Sequence, residues 1–219
     1  MKKYFLDAAT LIIFLLVMSF HFLPRDWHEI FGVVMLAAMI LHLFLNRRWF
    51  LNLRHGKLSR RKIFSALINF SMLAIFIVIF ATGFCMSNHL FRNFVSLELH
   101  RNFLIHQCHV ALPYILMILI GLHIGLHWTE IWNRFLNFAK PEKNSLPYKI
   151  FTKIFLLVII CGGIYGAFLN RVGDRILMKH IFATPATELN LFVFLILFLA
   201  TMGVYSIAIY FIDKKFFKR

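Results

Sequence analysis

Four histidines lie in two apolar segments with the same internal spacing. His28 and His42 are fourteen residues apart in one segment, and His109 and His123 are fourteen apart in the other. Fourteen residues of α-helix return to the same face within about 40° and rise about 21 Å. Each segment, if helical, presents two imidazoles on one face at two depths. Imidazole is a common ligand of haem iron, so two such helices side by side predict sites for two stacked haems.

The composition predicts that these helices lie in a lipid bilayer. Hydrophobic residues make up 61% of the chain, charged residues 15%, and the mean hydropathy is +0.77. A bilayer core about 30 Å thick needs about 20 apolar residues per helix. Six runs meet this need, at 5–23, 28–46, 63–86, 104–128, 150–169 and 190–212. The predicted fold is therefore all-α, a polytopic membrane bundle of six transmembrane helices. The first run is followed by no small-x-small cleavage site, and we expect it to remain as a helix.

Basic residues are distributed unevenly between the two predicted faces. The chain has 24 Lys and Arg and a formal net charge of +15. With the N-terminus inside, eighteen of them fall on the cytoplasmic side, at the N-terminus, in 47–62 and 134–153, and in the tail 214–219. This asymmetry predicts that both termini are cytoplasmic. The charge is thus interpreted as a topology signal with some contact to anionic lipid, and not as a nucleic-acid surface.

One integral membrane domain, 1–219, is the expected organisation. A polar segment at 141–147, bounded by two prolines, separates the histidine-bearing front from a back that is poor in histidine. We therefore expect a haem-binding four-helix part over 1–140 and an additional helix pair over 148–219.

The predicted topology decides how the four histidines pair. The second and fourth helices are separated by one crossing, so both run from outside to inside. His28 and His109 are then the ligands of an outer haem iron, and His42 and His123 are the ligands of an inner one. Two neighbours remain alternatives, because His106 lies about one turn from His109 and His127 about one turn from His123.

The other histidines and the arginines near the helix ends are weaker candidates. His21 ends the first helix and is a candidate contact to the outer haem or to a quinol. Four histidines fall in predicted loops, where solvated side chains are the default: His55, His89, His100 and His180. Haem propionates need cationic partners, and the nearest arginines in sequence are Arg25, Arg101, Arg47 and Arg48.

Two further classes of function are the alternatives. A haem-free transporter could use intramembrane histidine, but such pathways usually also contain carboxylates within the membrane. All nine acidic residues fall at predicted helix ends or in loops: Asp7, Asp26, Glu29, Glu98, Glu130, Glu142, Asp174, Glu188 and Asp213. The other alternative is a membrane anchor subunit of a redox complex.

Several chemistries have no signature in this chain. Cys85, Cys108 and Cys161 form no CxxC or CxxCH motif, which excludes covalent haem attachment of the c type and an iron–sulfur framework. No Gly-rich phosphate loop or nucleophile elbow is present. We therefore assign no catalytic residue and expect an electron-transfer component, not a stand-alone enzyme.

Five segments carry a resemblance to a known family. They are Trp27–Gly32 (WHEIFG), Leu41–Trp49 (LHLFLNRRW), Thr82–Ser87 (TGFCMS), Leu122–Trp128 (LHIGLHW) and Tyr165–Phe168 (YGAF). Together they resemble the flavinylation-associated cytochrome family, a group of bacterial membrane proteins similar to di-haem b-type cytochromes. The resemblance covers most of the chain and is most specific in the histidine segments.

The resemblance implies two b-type haems held by His28, His42, His109 and His123. It implies a protein of the bacterial cytoplasmic (inner) membrane that passes electrons from the quinone pool to an extracytoplasmic flavin-bearing or other redox partner. The family pattern also includes His127, so the inner ligand stays open between His123 and His127.

Overall fold

The computed structural model describes residues 2–53, 55, 59–139, 146–179 and 189–216. Helices and short turns account for this part of the chain, and no strand occurs within it. In chain order the helices are α1 Lys2–Met18, α2 Arg25–Leu45, α3 Arg47–Leu53, α4 Arg60–Met86, α5 Leu97–His100, α6 Phe103–Leu126, α7 Trp128–Ala139, α8 Leu146–Leu169, α9 Val172–Ile176 and α10 Leu191–Phe216. Two 3₁₀ turns, Phe20–Phe22 and Arg92–Phe94, lie in the connections.

The long helices correspond to the six predicted runs, with ends displaced by at most a few residues. Five of them, α2, α4, α6, α8 and α10, are long and apolar enough to cross a bilayer. Helix α1 has 17 residues, which corresponds to a length of about 26 Å. It ends earlier than predicted because the chain turns at Ser19, whose hydroxyl donates to the Leu15 carbonyl, and then begins α2 after Pro24.

Large apolar side chains cover much of the outside of the bundle. Phe168 is 81% exposed and Phe5 is 79% exposed, and many other Leu, Ile and Phe side chains also face outwards. A soluble protein does not leave such continuous apolar surface in water. The chain is therefore a helical, multi-pass membrane bundle whose outer surface contacts lipid. The predicted division at 141–147 falls largely on 140–145, which lie outside the described residues.

Glycines bring α6, α8 and α10 into close contact. A Cβ atom on Gly121 would lie 2.7 Å from the Met202 carbonyl oxygen of α10. The Ser206 hydroxyl of α10 donates to the Gly121 carbonyl at 2.7 Å, and the Thr201 hydroxyl donates to the Gly163 carbonyl of α8 at 3.0 Å. Small residues and cross-helix hydrogen bonds of this kind are what hold helices together in lipid. Helix α4 packs along the other side of α6, so these four helices form one block.

Replacing Gly125 by alanine is expected to destabilise this block. Its added Cβ would collide with the backbone of Ser206 and the side chain of Ile209. Overpacking a tight contact costs about 1–3 kcal/mol, and a lower denaturation midpoint in detergent micelles would measure that loss. Gly162→Ala is the matched control, since its Cβ would meet Ala200 at an ordinary 3.7 Å. Equal midpoints for the two variants would contradict the packing described.

Candidate functional site

His28 on α2 and His109 on α6 face one another. Their ring centroids are 6.1 Å apart and their planes are nearly perpendicular, at 88°. A metal–imidazole bond is about 2.0–2.1 Å, so two imidazoles on opposite sides of one metal ion would have centroids about 6.3 Å apart. The observed separation fits two axial ligands of a single ion. The structure thus brings together the two histidines that the sequence analysis assigns to the outer pair.

His28 and His109 are called the outer pair below, and a cavity of about 670 Å³, the outer cavity, surrounds them. Its walls come from the end of α1 and the turn after it, from α2, α4 and α6, from the segment after α4 and from Arg175 of α9, and both histidines line it. Helices α2 and α6 are not among the closely packed pairs of the bundle, and the cavity lies between them. Sites for small molecules and cofactors usually measure about 300–1,000 Å³. The space therefore suits a bound organic group beside the two rings.

Contacts from α4 hold the His109 ring in one orientation. Its Nδ1–H donates to the Ile79 carbonyl at 3.1 Å, and the Thr82 hydroxyl lies 3.2 Å from the same nitrogen. A carbonyl oxygen only accepts, so Nδ1 carries the proton and Nε2 keeps its lone pair. Gly83 lets the ring lie against the α4 backbone, because a Cβ there would be 2.8 Å from His109 Cε1. The free Nε2 is the atom that a metal ion would bind.

The environment of His28 is more apolar. Its Nδ1 is buried and makes no hydrogen bond of acceptable geometry among the described residues, although the backbone of Val17 lies close to the ring. Phe20 packs edge-on against the imidazole with centroids 5.6 Å apart. A buried polar atom without a partner costs about 1–3 kcal/mol. Such a cost is typical of residues kept for binding or catalysis.

The inner histidines each direct Nδ1 to an oxygen acceptor. His42 Nδ1–H donates to the Asp7 carboxylate of α1 at 2.9 Å, and His123 Nδ1–H donates to the Asn69 side-chain oxygen of α4 at 2.8 Å. Both rings therefore keep the Nε2 lone pair. The Asn46 amide nitrogen lies 3.5 Å from His42 Nε2 but bonds more closely to the His42 carbonyl, at 2.8 Å. Carboxylate and amide partners of this kind orient metal-binding histidines in proteins.

The two pairs lie at two depths of the bundle. His42 and Asp7 are near enough to His123 to act on it electrostatically, and His28 lies against His109. His28, near the start of α2, lies beside His109, near the start of α6. His42 and His123 both lie near the ends of these helices. Helices α2 and α6 therefore run in the same direction, as the predicted topology requires.

The alternative ligands occupy different surroundings. His106 lines the outer cavity, but the ring that faces His28 is that of His109. The His127 ring lies 5.0 Å from His123, and its Nδ1 lies 3.5 Å from the Glu130 carboxylate. His89 pairs with Asp26 at 3.0 Å, and His180 lies outside the described residues. Geometry thus favours His109 in the outer pair and leaves His127 beside His123 in the inner pair.

Two arginines that the sequence did not single out line the outer cavity. They are Arg175 of α9, which is 4% exposed, and Arg92. Arg175 Nε donates to the Asn170 carbonyl at 3.1 Å, and its guanidinium lies 5.1 Å from the Tyr114 ring centroid. A buried cation in a cavity wall attracts an acidic group on a ligand. No sequence signal distinguished these two arginines from other basic residues of the outer segments.

The arginines predicted to contact haem propionates have other positions. Arg101 lies at a neighbouring pocket and is absent from the wall of the outer cavity. Arg47 donates to the Phe44 carbonyl and lies over the Phe44 ring. The Arg25 side chain lies outside the described part of the chain. Arg48 is exposed and is not among the described residues that line the outer cavity.

The segment after α4 is tied to α2 beside His28. The Glu29 carboxylate accepts the Ser87 hydroxyl at 2.7 Å and the backbone N–H groups of Asn88 and Leu90 at 2.8 and 2.9 Å. Nearby, burial and the positive charge of Arg175 lower the pKa of His21, which packs edge-on against Phe194. His21 is therefore neutral near pH 7. Arg175 and Arg92 are therefore the sources of positive charge among the residues that line this end of the cavity.

The acidic residues are not all remote from the candidate ligands. Asp7 was predicted to lie near a helix end, and it does lie within the first two turns of α1. Its bond to His42 nevertheless brings a carboxylate to the inner pair. At the outer pair, Glu29 lines the cavity, and its carboxylate accepts the Ser87 hydroxyl at 2.7 Å.

The donor set favours a macrocyclic cofactor over a bare ion. Among the described residues no group of three His, Cys, Asp or Glu side chains is placed to hold a metal ion. Each pair supplies two imidazoles, whereas haem iron takes four ligands from its own macrocycle and needs only axial ones from the protein. The residues present therefore fit a bis-histidine haem. No family model, curated protein or solved structure matches the chain.

Proposed function

We propose that this protein is a b-type di-haem cytochrome that relays electrons across the bacterial cytoplasmic membrane. The observation that carries the proposal is the outer pair, with His28 and His109 facing one another at 6.1 Å across a cavity of about 670 Å³. His42 and His123 would hold the second haem. Six crossings, with α1 as the first, would put both termini in the cytoplasm and the outer pair near the extracytoplasmic face.

The protein would set the position and the electronic properties of each haem. Haem supplies an iron that alternates between the ferric and ferrous states. The Ile79 carbonyl and the Asp7 and Asn69 side chains hold three of the four ligand rings with Nε2 free. Arg175 and Arg92 line the outer cavity and would offer positive charge to the acidic edge of a haem bound there. The helical rise separates the two levels by about 21 Å.

The proposed electron donor and acceptor are those that the resemblance to the flavinylation-associated cytochrome family implies. The chain carries no nucleotide-binding motif, so a quinol of the membrane pool is the proposed donor. An extracytoplasmic flavin-bearing protein, or another redox partner, is the proposed acceptor. The protein would then be one component of an oxidoreductase system, embedded in lipid.

The decisive experiment is spectroscopic. Protein expressed with a haem precursor and purified in detergent should give a reduced-minus-oxidised difference spectrum of the b type. A pyridine haemochrome assay should count two haems per chain. Complete absence of a b-type signal from folded protein would overturn the proposal and favour the haem-free transporter or the membrane anchor.

Asp7→Asn is expected to make the midpoint potential of the inner haem more positive. The carboxylate that accepts the His42 Nδ1–H increases electron donation to the iron and so stabilises the ferric state. The amide keeps an acceptor but loses the negative charge. Spectroelectrochemical titration of both haems would measure the shift.

Asn69→Asp is the matched counterpart on the other inner ligand. It adds a carboxylate beside His123 Nδ1, so the inner haem should move to a more negative potential while the outer haem keeps its own. If neither Asp7→Asn nor Asn69→Asp changed the midpoint potential of the inner haem, Asp7 and Asn69 would not be hydrogen-bond partners of its ligands.

A further inference from the structure

A second pocket lies beside the outer cavity, in the connection between α4 and α6. It encloses about 400 Å³. Arg92 comes from the 3₁₀ turn and Arg101 follows the short helix α5. The lining residues are Asn88, Arg92, Val95, Leu97, His100 and Arg101. The volume falls in the range of small-molecule sites and is too small to admit a protein domain.

The pocket and the outer cavity share part of their walls. Asn88 and Arg92 line both. The backbone of Asn88 is held by Glu29 of α2, one residue from His28, at 2.8 Å. A molecule in the pocket would therefore lie next to the space around His28 and His109, separated from it by these shared side chains.

The pocket is positively charged. Arg92 and Arg101 are exposed, and neither takes part in a salt bridge among the described residues. The Glu29 carboxylate, which lies beside Asn88, is already engaged by the Ser87 hydroxyl and three backbone N–H groups. Glu98 of α5 is exposed and is not one of the residues that line the pocket. Guanidinium groups bind phosphate, carboxylate and sulfonate with charge-assisted hydrogen bonds. Val95 and Leu97 add apolar wall.

We propose that this pocket binds a small organic anion that accepts electrons from the outer haem. The anionic group would lie on Arg92 and Arg101, and the apolar body would lie against Val95 and Leu97. The assignment of the ligand as an acceptor rests on the proposed function. Each transfer takes one electron from ferrous iron, which becomes ferric, and adds that electron to the bound molecule. The quinol donor replaces it.

Binding can be measured without any electron transfer. Naphthalene-2-sulfonate is a redox-inactive organic anion, and isothermal titration of the detergent-solubilised protein should show saturable binding that weakens with salt. Arg101→Gln should raise its Kd about tenfold, because it removes a charge-assisted hydrogen bond to the sulfonate. Arg101→Lys, which keeps the charge, should recover most of the affinity.

Lys179→Gln is the matched control. It removes one positive charge from the same end of the bundle, where Lys179 is exposed and follows α9, and it should leave the Kd unchanged. An equal effect of Arg101→Gln and Lys179→Gln would show only general surface charge and would overturn the site. So would sulfonate binding that no arginine substitution alters.

Electron transfer gives the second readout. In stopped-flow mixing, Arg101→Gln should slow reoxidation of the reduced haem by 1,4-naphthoquinone-2-sulfonate and leave the rate with uncharged 1,4-naphthoquinone unchanged. Equal rates for wild type and Arg101→Gln with the sulfonate would overturn the acceptor site. If folded protein expressed with a haem precursor contained no haem but bound the sulfonate, the proposed relay would be overturned and the anion site would stand. If the protein contained two haems but bound no sulfonate, only the anion site would be overturned.

Discussion

Replacing His109 by alanine is expected to remove one haem and to leave the other in place. His28→Ala should remove the same haem, because both rings would bind one iron from opposite sides. The haem content measured by the pyridine haemochrome assay should fall from two haems per chain to about one in each variant. Redox titration should show the loss of the same component in both.

Double variants test the pairing directly. Residues that act on one iron are not additive, so His28→Ala with His109→Ala should still retain one haem. His28→Ala with His123→Ala should retain none. His106→Ala is the control for the outer site and should keep both haems. If His106→Ala lost the outer haem and His109→Ala kept it, the ligand on α6 would be His106 and the assignment to His109 would be wrong.

Replacing Gly32 by leucine is expected to exclude the outer haem without unfolding the protein. Gly32 lines the outer cavity, and a Cβ placed there meets nothing within 4 Å. The side chain would therefore occupy space that a cofactor needs while it touches little of the protein. Leucine also favours a helix by about 1 kcal/mol over glycine. Haem content and thermal stability of the haem-free protein would be measured together.

Ala37→Leu is the matched control on the same helix. Ala37 is exposed, so the larger side chain would point away from the packed interior, and both haems should be retained. If Gly32→Leu bound the full complement of haem with an unchanged spectrum, the cofactor would have to lie elsewhere, and the volume beside His28 would need another explanation.

The positions of the paired histidines follow from the sequence because a helix has a fixed period. The spacing between His28 and His42 is matched by that between His109 and His123, so two co-directional helices must present them at equal depths. The runs of apolar residues likewise fixed the long helices to within a few residues. Short-range regularities of this kind are visible in one dimension.

The supporting contacts could not be read in the same way. Asp7 reaches His42 from another helix, and Asn69 reaches His123 across 54 positions of the chain. The hydrogen-bond acceptor of His109 Nδ1–H is the backbone carbonyl of Ile79. Every residue has such a carbonyl, so the sequence does not indicate which one accepts. Arg175 reaches the cavity because a short helix after α8 turns it inwards. These partners depend on how the helices pack, which the periodicity of a single segment does not contain.

The hairpin formed by α1 and α2 is attached to the rest of the bundle more loosely than the other helices are attached to one another. Its contacts with the other helices include aromatic side chains, such as Phe14 on Phe198, and His21 of the connecting turn on Phe194. Helices α6, α8 and α10, in contrast, approach one another closely at glycines. If the proposed haem lies between α2 and α6, it would join this hairpin to the other helices. The haem-free protein is therefore expected to lose the packing of α1 and α2 before that of α6, α8 and α10.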